Sequence, residues 1–450
     1  MTRFNNPRAG VLAVLAAMAT VVLDAGMTIV ALPSMAAHFE ITPARSILVV
    51  SAYQAAVVMS LLPAAALAER FGYRRLFTCG LALFVMSSLV SAMASSFPVL
   101  VAARFAQGVG SAAVLALGIA LIRFAVAESR LGEAISWNAL TVALAAAAAP
   151  AFGGMLMSAA SWHWIYLATL PAAATALACA RSLPASHSQP GRIDLPGLGL
   201  NAAAFGCLIA GAASIRSASL LWPALLTAGA AALAVLILRD RSSARPLLPV
   251  DLLAGQPFRV SVMASAACFT GQSIALIALP FHLQSGFGLP APVAASLLTI
   301  WPLSVALMTT AARRWISAAP TRLACSVGGS LLSAGLLGLW VSPFSGGPLP
   351  LVLSIGLCGA GFGVFQVANN RSMFLSAPLS RSGAAGALQG LARVTGQTGG
   401  AILAGLLFAA LTAPVAHRTS FAIGAVFTGA AALLSYFGQP AVRRLPDERA

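Results

Sequence analysis

The sequence predicts an all-α polytopic membrane protein, with fourteen transmembrane helices forming two six-helix bundles plus two inserted helices. Three observations carry that prediction. The 450 residues are 59% hydrophobic, with a mean hydropathy of +0.91. Charged residues make up 8% of the chain, against roughly 25% in a soluble globular protein. Apolar runs of about 20 residues recur from end to end, separated by short charged loops.

The runs fall near 10–33, 47–68, 76–96, 98–124, 134–158, 162–181, 196–215, 219–238, 258–284, 291–312, 322–342, 349–371, 385–411 and 420–438. Each is continuously apolar and long enough to cross about 30 Å of hydrocarbon at 1.5 Å per residue, so each is read as a helix. The first follows Arg3 and Arg8 and has the outline of a signal peptide. Its apolar run continues to about Pro33, too long for a cleavable segment, so it is the first span. The second span ends at the charged loop Glu69–Arg75, which has a decayed counterpart, Arg313–Arg322, after the tenth. A Pro/Gly/Ser-rich loop, Ser182–Pro196, and the charged stretch Arg239–Arg259 bracket the seventh and eighth spans. Residues 184–256 therefore read as an insertion between bundles at 1–183 and 257–450, the arrangement secondary transporters place around a central cavity.

Charge placement tests this count. With a cytoplasmic N-terminus, 21 arginines fall in one set of loops, beginning with Arg3 and Arg8 and ending with Arg443, Arg444 and Arg449. The opposite loops hold Arg45, Arg216 and Arg418. A missed or invented span would scramble that alternation, so both termini are expected in the cytoplasm. The net charge of +16 is thus spread over many loops rather than gathered on one stripe, which argues against a nucleic-acid partner. All 26 basic residues are Arg. Without Lys there is no Walker-type phosphate loop and no Schiff-base chemistry. The six cysteines sit singly in apolar runs, without metal-ligand spacing.

Three groups of fixed charge lie deep within spans: Asp24, Arg104 and Arg393. An acid at the bilayer centre costs about 2.5–3.5 kcal/mol on insertion scales, so Asp24 is a functional candidate. Measured from Pro33 and Pro98, the depths of Asp24 and Arg104 differ by about 4–5 Å, one helical turn, so an ion pair between them is feasible. Arg393 has no acid at comparable depth in its half. It is read either as bonding backbone carbonyls or as facing a cavity.

The stretch Leu23-Asp24-Ala25-Gly26-Met27-Thr28-Ile29-Val30-Ala31-Leu32-Pro33 resembles the helix-1 signature of the fourteen-span drug:proton antiporter family of the major facilitator superfamily. It departs at Ile29, where relatives usually carry Asn, and at Gly26, where Thr is common. Ala65-Ala66-Leu67-Ala68-Glu69-Arg70-Phe71-Gly72-Tyr73-Arg74-Arg75 resembles the superfamily's cytoplasmic gating loop. There Gly72 permits a tight turn, while Glu69, Arg70 and Arg74 can form ion pairs between the halves. Arg104-Phe105-Ala106-Gln107-Gly108-Val109-Gly110 matches the helix-4 motif, and Ala149-Pro150-Ala151-Phe152-Gly153-Gly154 resembles the helix-5 antiporter motif. Trp162–Leu167 and Ala278–Gln284 resemble hallmarks of that family at helices 6 and 9, while Cys358–Gln366 followed by Asn369-Asn370-Arg371, and Arg381–Gly386, resemble a branch of multidrug-type inner-membrane transporters of Gram-negative bacteria.

The resemblance implies a major facilitator fold, proton coupling at Asp24 with Arg104, and an antiporter motif at Pro150, Gly153 and Gly154. Its partners would be protons, a small-molecule substrate and the lipid bilayer of the bacterial inner membrane. It implies no enzymatic step, cofactor or metal. The expected function is proton-coupled export of lipophilic or monocationic small molecules, because the embedded charges sum to +1 and offer a dication one carboxylate. The alternative is transport of a specific metabolite, with Arg393 receiving a carboxylate. Gln107, Gln272, Trp301, Gln366, Asn369 and Arg393 are candidate cavity residues. Gly361, Gly363, Gly396, Gly399 and Gly400 are read as helix-packing positions.

Overall fold

Among the described residues, fourteen long helices follow one another along the chain. The computed structural model describes residues 7–184, 194–215, 221–241, 248–311, 315, 319–342, 348–378 and 381–438. The first half contributes α1 (Pro7–His38), α2 (Leu48–Phe71), α3 (Tyr73–Ala92), α4 (Phe97–Ala125), α5 (Glu128–Ala159) and α6, which runs as His163–Ala168 and Leu170–Cys179. The inserted pair is α7 (Leu195–Ala213) and α8 (Leu221–Arg241). The second half holds α9 (Gln256–Phe281), α10 (Ala291–Ala311), α11 (Thr321–Val341), α12 (Pro348–Leu375), α13 (Ser382–Ala410) and α14 (Ala413–Gly438). No strand occurs among the described residues. Thirteen of the helices are long and apolar enough to cross a membrane. The other, α13, is 29 residues long, which suits a span, and carries Gln389, Arg393 and Gln397.

Local chemistry explains the helix ends. Gly72 holds φ 93°, a backbone region that a Cβ disfavours, and so separates α2 from α3 without a loop. Thr42 accepts from the backbone N–H of Arg45 and opens a short turn, Pro43–Ser46, that leads into α2. Proline acts less sharply than the sequence implies. Helix α1 passes through Pro33 and ends at His38, because an interior proline in a membrane helix is tolerated when neighbours satisfy the freed backbone. Helix α9 passes through Pro280 and finishes in a π-turn, His282–Gly286. Helix α14 starts at Ala413, so Arg418 lies in its opening turns and donates from Nε to the Trp340 carbonyl at 2.9 Å.

Helices α1–α6 pack on one another, as do α9–α14, and the halves meet through α5 with α10, α2 with α13, and α1 with α9. The large apolar core lies toward the arginine-poor face and joins both halves: Met27, Leu32 and Ile47 from one side, Ile274, Leu279 and Trp301 from the other. Toward the arginine-rich face the packing divides. Val14, Met18, Phe77 and Leu121 form a cluster within the first half alone. A third cluster gathers Val58 and Leu62 of α2 with Phe205 of α7, Leu236 of α8 and Leu388 of α13. The inserted pair thus rests beside the α2–α13 contact, and Asn201 of α7 donates to the Met59 carbonyl at 2.9 Å. Asp194 and Arg239, at the base of the pair, form an ion pair of 2.5 Å. The connections 185–193 and 242–247 that bound the insertion lie outside the described residues.

Candidate functional site

Small residues on α4 bring its charged face inward. A Cβ at Gly108 would strike the Tyr53 carbonyl of α2, and one at Gly110 would meet the Gly80 carbonyl of α3 at 2.5 Å. Those two glycines let α4 lie flush against both neighbours, so Arg104 and Gln107, one turn apart on the same face, project into the first half. Gly26 plays the same part on α1, where a Cβ would stand 2.5 Å from that of Ala149 on α5.

The result is a dry polar centre. Arg104 Nη1 lies 2.5 Å from Asp24 Oδ2, and the two side chains are 1% and 0% exposed. The same nitrogen also donates to Gln107 Oε1. Gln107 Nε2 donates to Asp24 Oδ1 at 3.0 Å and to Ser88 Oγ at 2.7 Å. Ser88 in turn donates to the Phe84 carbonyl at 2.9 Å. The guanidinium sits over the Tyr53 ring at 4.4 Å from its centroid and 5.5 Å from that of Tyr166. Two aromatic faces and an ion pair therefore replace the water a buried guanidinium has lost.

The structure thus brings Asp24 and Arg104 together and moves one cavity candidate into their company. Gln107 is fully buried, with its amide wholly used. It corrects the expectation that it lines a cavity, and it supplies the polar ligand that Ile29 does not. Trp301 and Asn369 are also core residues rather than cavity walls. Trp301 is 2% exposed, and Asn369 ties α12 to α9 by donating to the Ser261 carbonyl at 3.1 Å. Gln272 is buried on α9, Gln366 is half-buried on α12, and Arg393 is half-buried on α13.

The remaining motif residues lie apart from this centre. Glu69 and Arg70 are exposed at the end of α2. Arg74 donates to the carbonyls of Leu183 (3.1 Å) and Arg181 (3.4 Å), tying α3 to the end of α6 within its own half rather than reaching across. Pro150 lies inside α5. A Cβ on Gly153 would stand 3.2 Å from Met27 Cα, and one on Gly154 would collide with the Cβ of Ala295 on α10. This motif therefore sits where α1, α5 and α10 crowd together across the two halves. Gly361, Gly363, Gly396 and Gly400 likewise face a neighbouring backbone, whereas Gly399 faces only Thr270 Oγ1 at 3.6 Å.

Tyr53, Tyr166 and Ser88 escaped the sequence reading as members of the site. Scarcity was the available signal: the chain has four tyrosines, and two of them flank Arg104. No cluster of three or more His, Cys, Asp or Glu able to hold a metal occurs among the described residues.

A helical membrane protein of two packed halves, with an acid–arginine pair buried inside the first, is built as a transporter rather than an enzyme. The chain belongs to the Major Facilitator Superfamily, whose profile matches residues 14–397. It is 38% identical over 407 residues to the uncharacterized transporter YebQ of Escherichia coli, covering 88% of each chain. It is 27% identical over 404 residues to the multidrug resistance protein Stp of Mycobacterium tuberculosis, covering 87% of this chain and 74% of that one. Among solved structures, a peptide transporter POT in complex with alafosfalin matches with a TM-score of 0.72 at 15% identity, over 97% and 95% of the two chains. A D-xylose-proton symporter matches with a TM-score of 0.68 at 14% identity, over 97% of each. These likenesses place the chain among multi-pass membrane transporters.

Proposed function

We propose that this transporter exports lipophilic small molecules across the bacterial inner membrane in exchange for protons, with both termini in the cytoplasm. One observation carries the reading: Asp24 lies deep within α1 and is engaged by Arg104 and Gln107, with side-chain exposures of 0% for the acid and 1% for the arginine. A charged pair so placed is expensive to insert and is retained for a task. Asp24 takes and releases the proton while Arg104 tunes it, and residues 1–183 rock against 257–450 as the proton moves. Gly154 of α5, against Ala295 of α10, provides the close inter-half contact that such rocking opens and closes, while Gly153 packs α5 on Met27 of α1. Residues 184–256 form a separate inserted unit. The multidrug resistance names borne by relatives support a lipophilic substrate.

The test is substrate-induced proton movement in everted membrane vesicles, using a panel of lipophilic compounds and a pH-sensitive dye. Asp24→Asn is expected to abolish gradient-driven transport while the protein still inserts at normal levels. Proton movement that survives this substitution undiminished rejects the assignment.

A further inference from the structure

The two guanidiniums of the membrane interior are in opposite situations. Arg104 is spoken for by Asp24 and Gln107. Arg393, on α13, has neither a hydrogen-bond nor an ion-pair partner among the described residues, and its Nε is buried without an acceptor. The expectation that it would bond backbone carbonyls is therefore not what the side chain does.

Its direction follows from its neighbours. Arg393 lies within electrostatic range of Tyr53. Tyr53 is only 6% exposed and lies against Arg104 inside the first half. Arg393 lies one turn from Gly390, where a Cβ would meet Leu61 of α2, so it sits on the side of α13 that faces the first half. Helices α2 and α13 line that seam along its length. A Cβ on Gly405 would stand 3.9 Å from Ile47, and one on Gly390 would stand 3.6 Å from Leu61. Arg393 sits one turn beyond the Gly390–Leu61 contact and is half-buried, with its Nε buried and without an acceptor among the described residues.

Charge then decides what fits. Asp24 and Arg104 cancel each other, and the other buried acid among the described residues, Asp240 at the end of α8, accepts from the Leu248 backbone N–H at 2.7 Å. The seam therefore carries one uncompensated positive charge with five N–H donors in a planar fork. Such a fork matches a carboxylate through paired charge-assisted hydrogen bonds, and a low-dielectric surround strengthens that pairing. A cationic substrate would meet repulsion instead, with no free carboxylate to offset it.

We infer that Arg393 is the anion-receiving group of the substrate path, and that the transporter handles lipophilic carboxylates. This rests on the reading of the chain as an exporter of lipophilic molecules and narrows its substrate class. The negative-inside membrane potential assists outward movement of such an anion, by about 2.3 kcal/mol per charge per 100 mV.

Binding of three probes that differ only in charge tests the inference. 1-Naphthoate, 1-naphthamide and 1-naphthylmethylammonium are titrated against the purified transporter in proteoliposomes, with no proton gradient. The wild type is expected to bind naphthoate at least tenfold more tightly than the amide, and the ammonium probe weakest. Arg393→Gln should bring naphthoate to the level of naphthamide while naphthamide itself moves less than twofold, which also shows that the variant is folded. Arg393→Lys should keep part of the preference, since it retains the charge and loses the fork. Naphthoate binding no tighter than naphthamide, a preference that survives Arg393→Gln, or preference for the cation overturns the inference. Because no gradient is applied, that failure leaves the proton-coupling role of Asp24 standing. Transport unaffected by Asp24→Asn would remove the coupling role and leave this binding result intact.

Discussion

Replacing Asp24 by Asn and Arg104 by Gln, singly and together, measures what the buried pair contributes. The two groups touch at 2.5 Å with exposures of 0% and 1%, so water screens neither. Removing one partner leaves the other charge desolvated and uncompensated, which costs about 3–5 kcal/mol. After Asp24→Asn the guanidinium keeps Gln107 Oε1 and the faces of Tyr53 and Tyr166, placing that variant at the lower end. After Arg104→Gln the carboxylate keeps one donor, Gln107 Nε2, placing that variant at the upper end. The double variant has no stranded charge and retains a hydrogen-bonding chain through Gln107 and Ser88. Its destabilisation should fall below the larger single value, giving a coupling energy of about 2 kcal/mol or more. Equilibrium unfolding of the purified protein in mixed detergent–SDS micelles reads all three. Additive losses would mean that the two charges do not depend on each other, and the argument from their burial would fail.

Two further outcomes follow from the packing. Gly154→Ala inserts a methyl group where the Ala295 Cβ already stands, at a cost of about 1–3 kcal/mol, and should depress transport. Adding Ala295→Gly should restore it, and a transport assay showing no rescue would place the effect outside the α5–α10 contact. Tyr53→Leu removes the nearer aromatic face of Arg104, 4.4 Å away, and should lower stability by about 0.5–2 kcal/mol beyond the loss in Tyr53→Phe. Equal unfolding midpoints for the two variants would show that the ring face contributes nothing.

The sequence by itself determined the layers of this protein. Fourteen apolar runs set the helices, because a chain in hydrocarbon must satisfy its backbone internally and has no other way to cross. It also singled out Asp24 and Arg104, since charge within a span is rare enough to be conspicuous and depth is read directly from residue spacing. Helix ends were less legible. Pro33 looks like a stop, yet α1 runs through it to His38, because neighbouring helices decide whether a missing N–H matters.

Tertiary structure alone decided which way each polar side chain faces. An apolar helix buried on several sides has little amphipathic signature, so Gln107, Asn369 and Arg393 look equivalent along the chain. In the fold, Gln107 closes the carboxylate's shell, Asn369 ties two helices, and Arg393 stands without a partner among the described residues. The physical reason is rotation about the helix axis. Residue spacing sets depth along that axis, but rotation around it is set by which small residues let which neighbours approach, as Gly26, Gly108 and Gly154 do here.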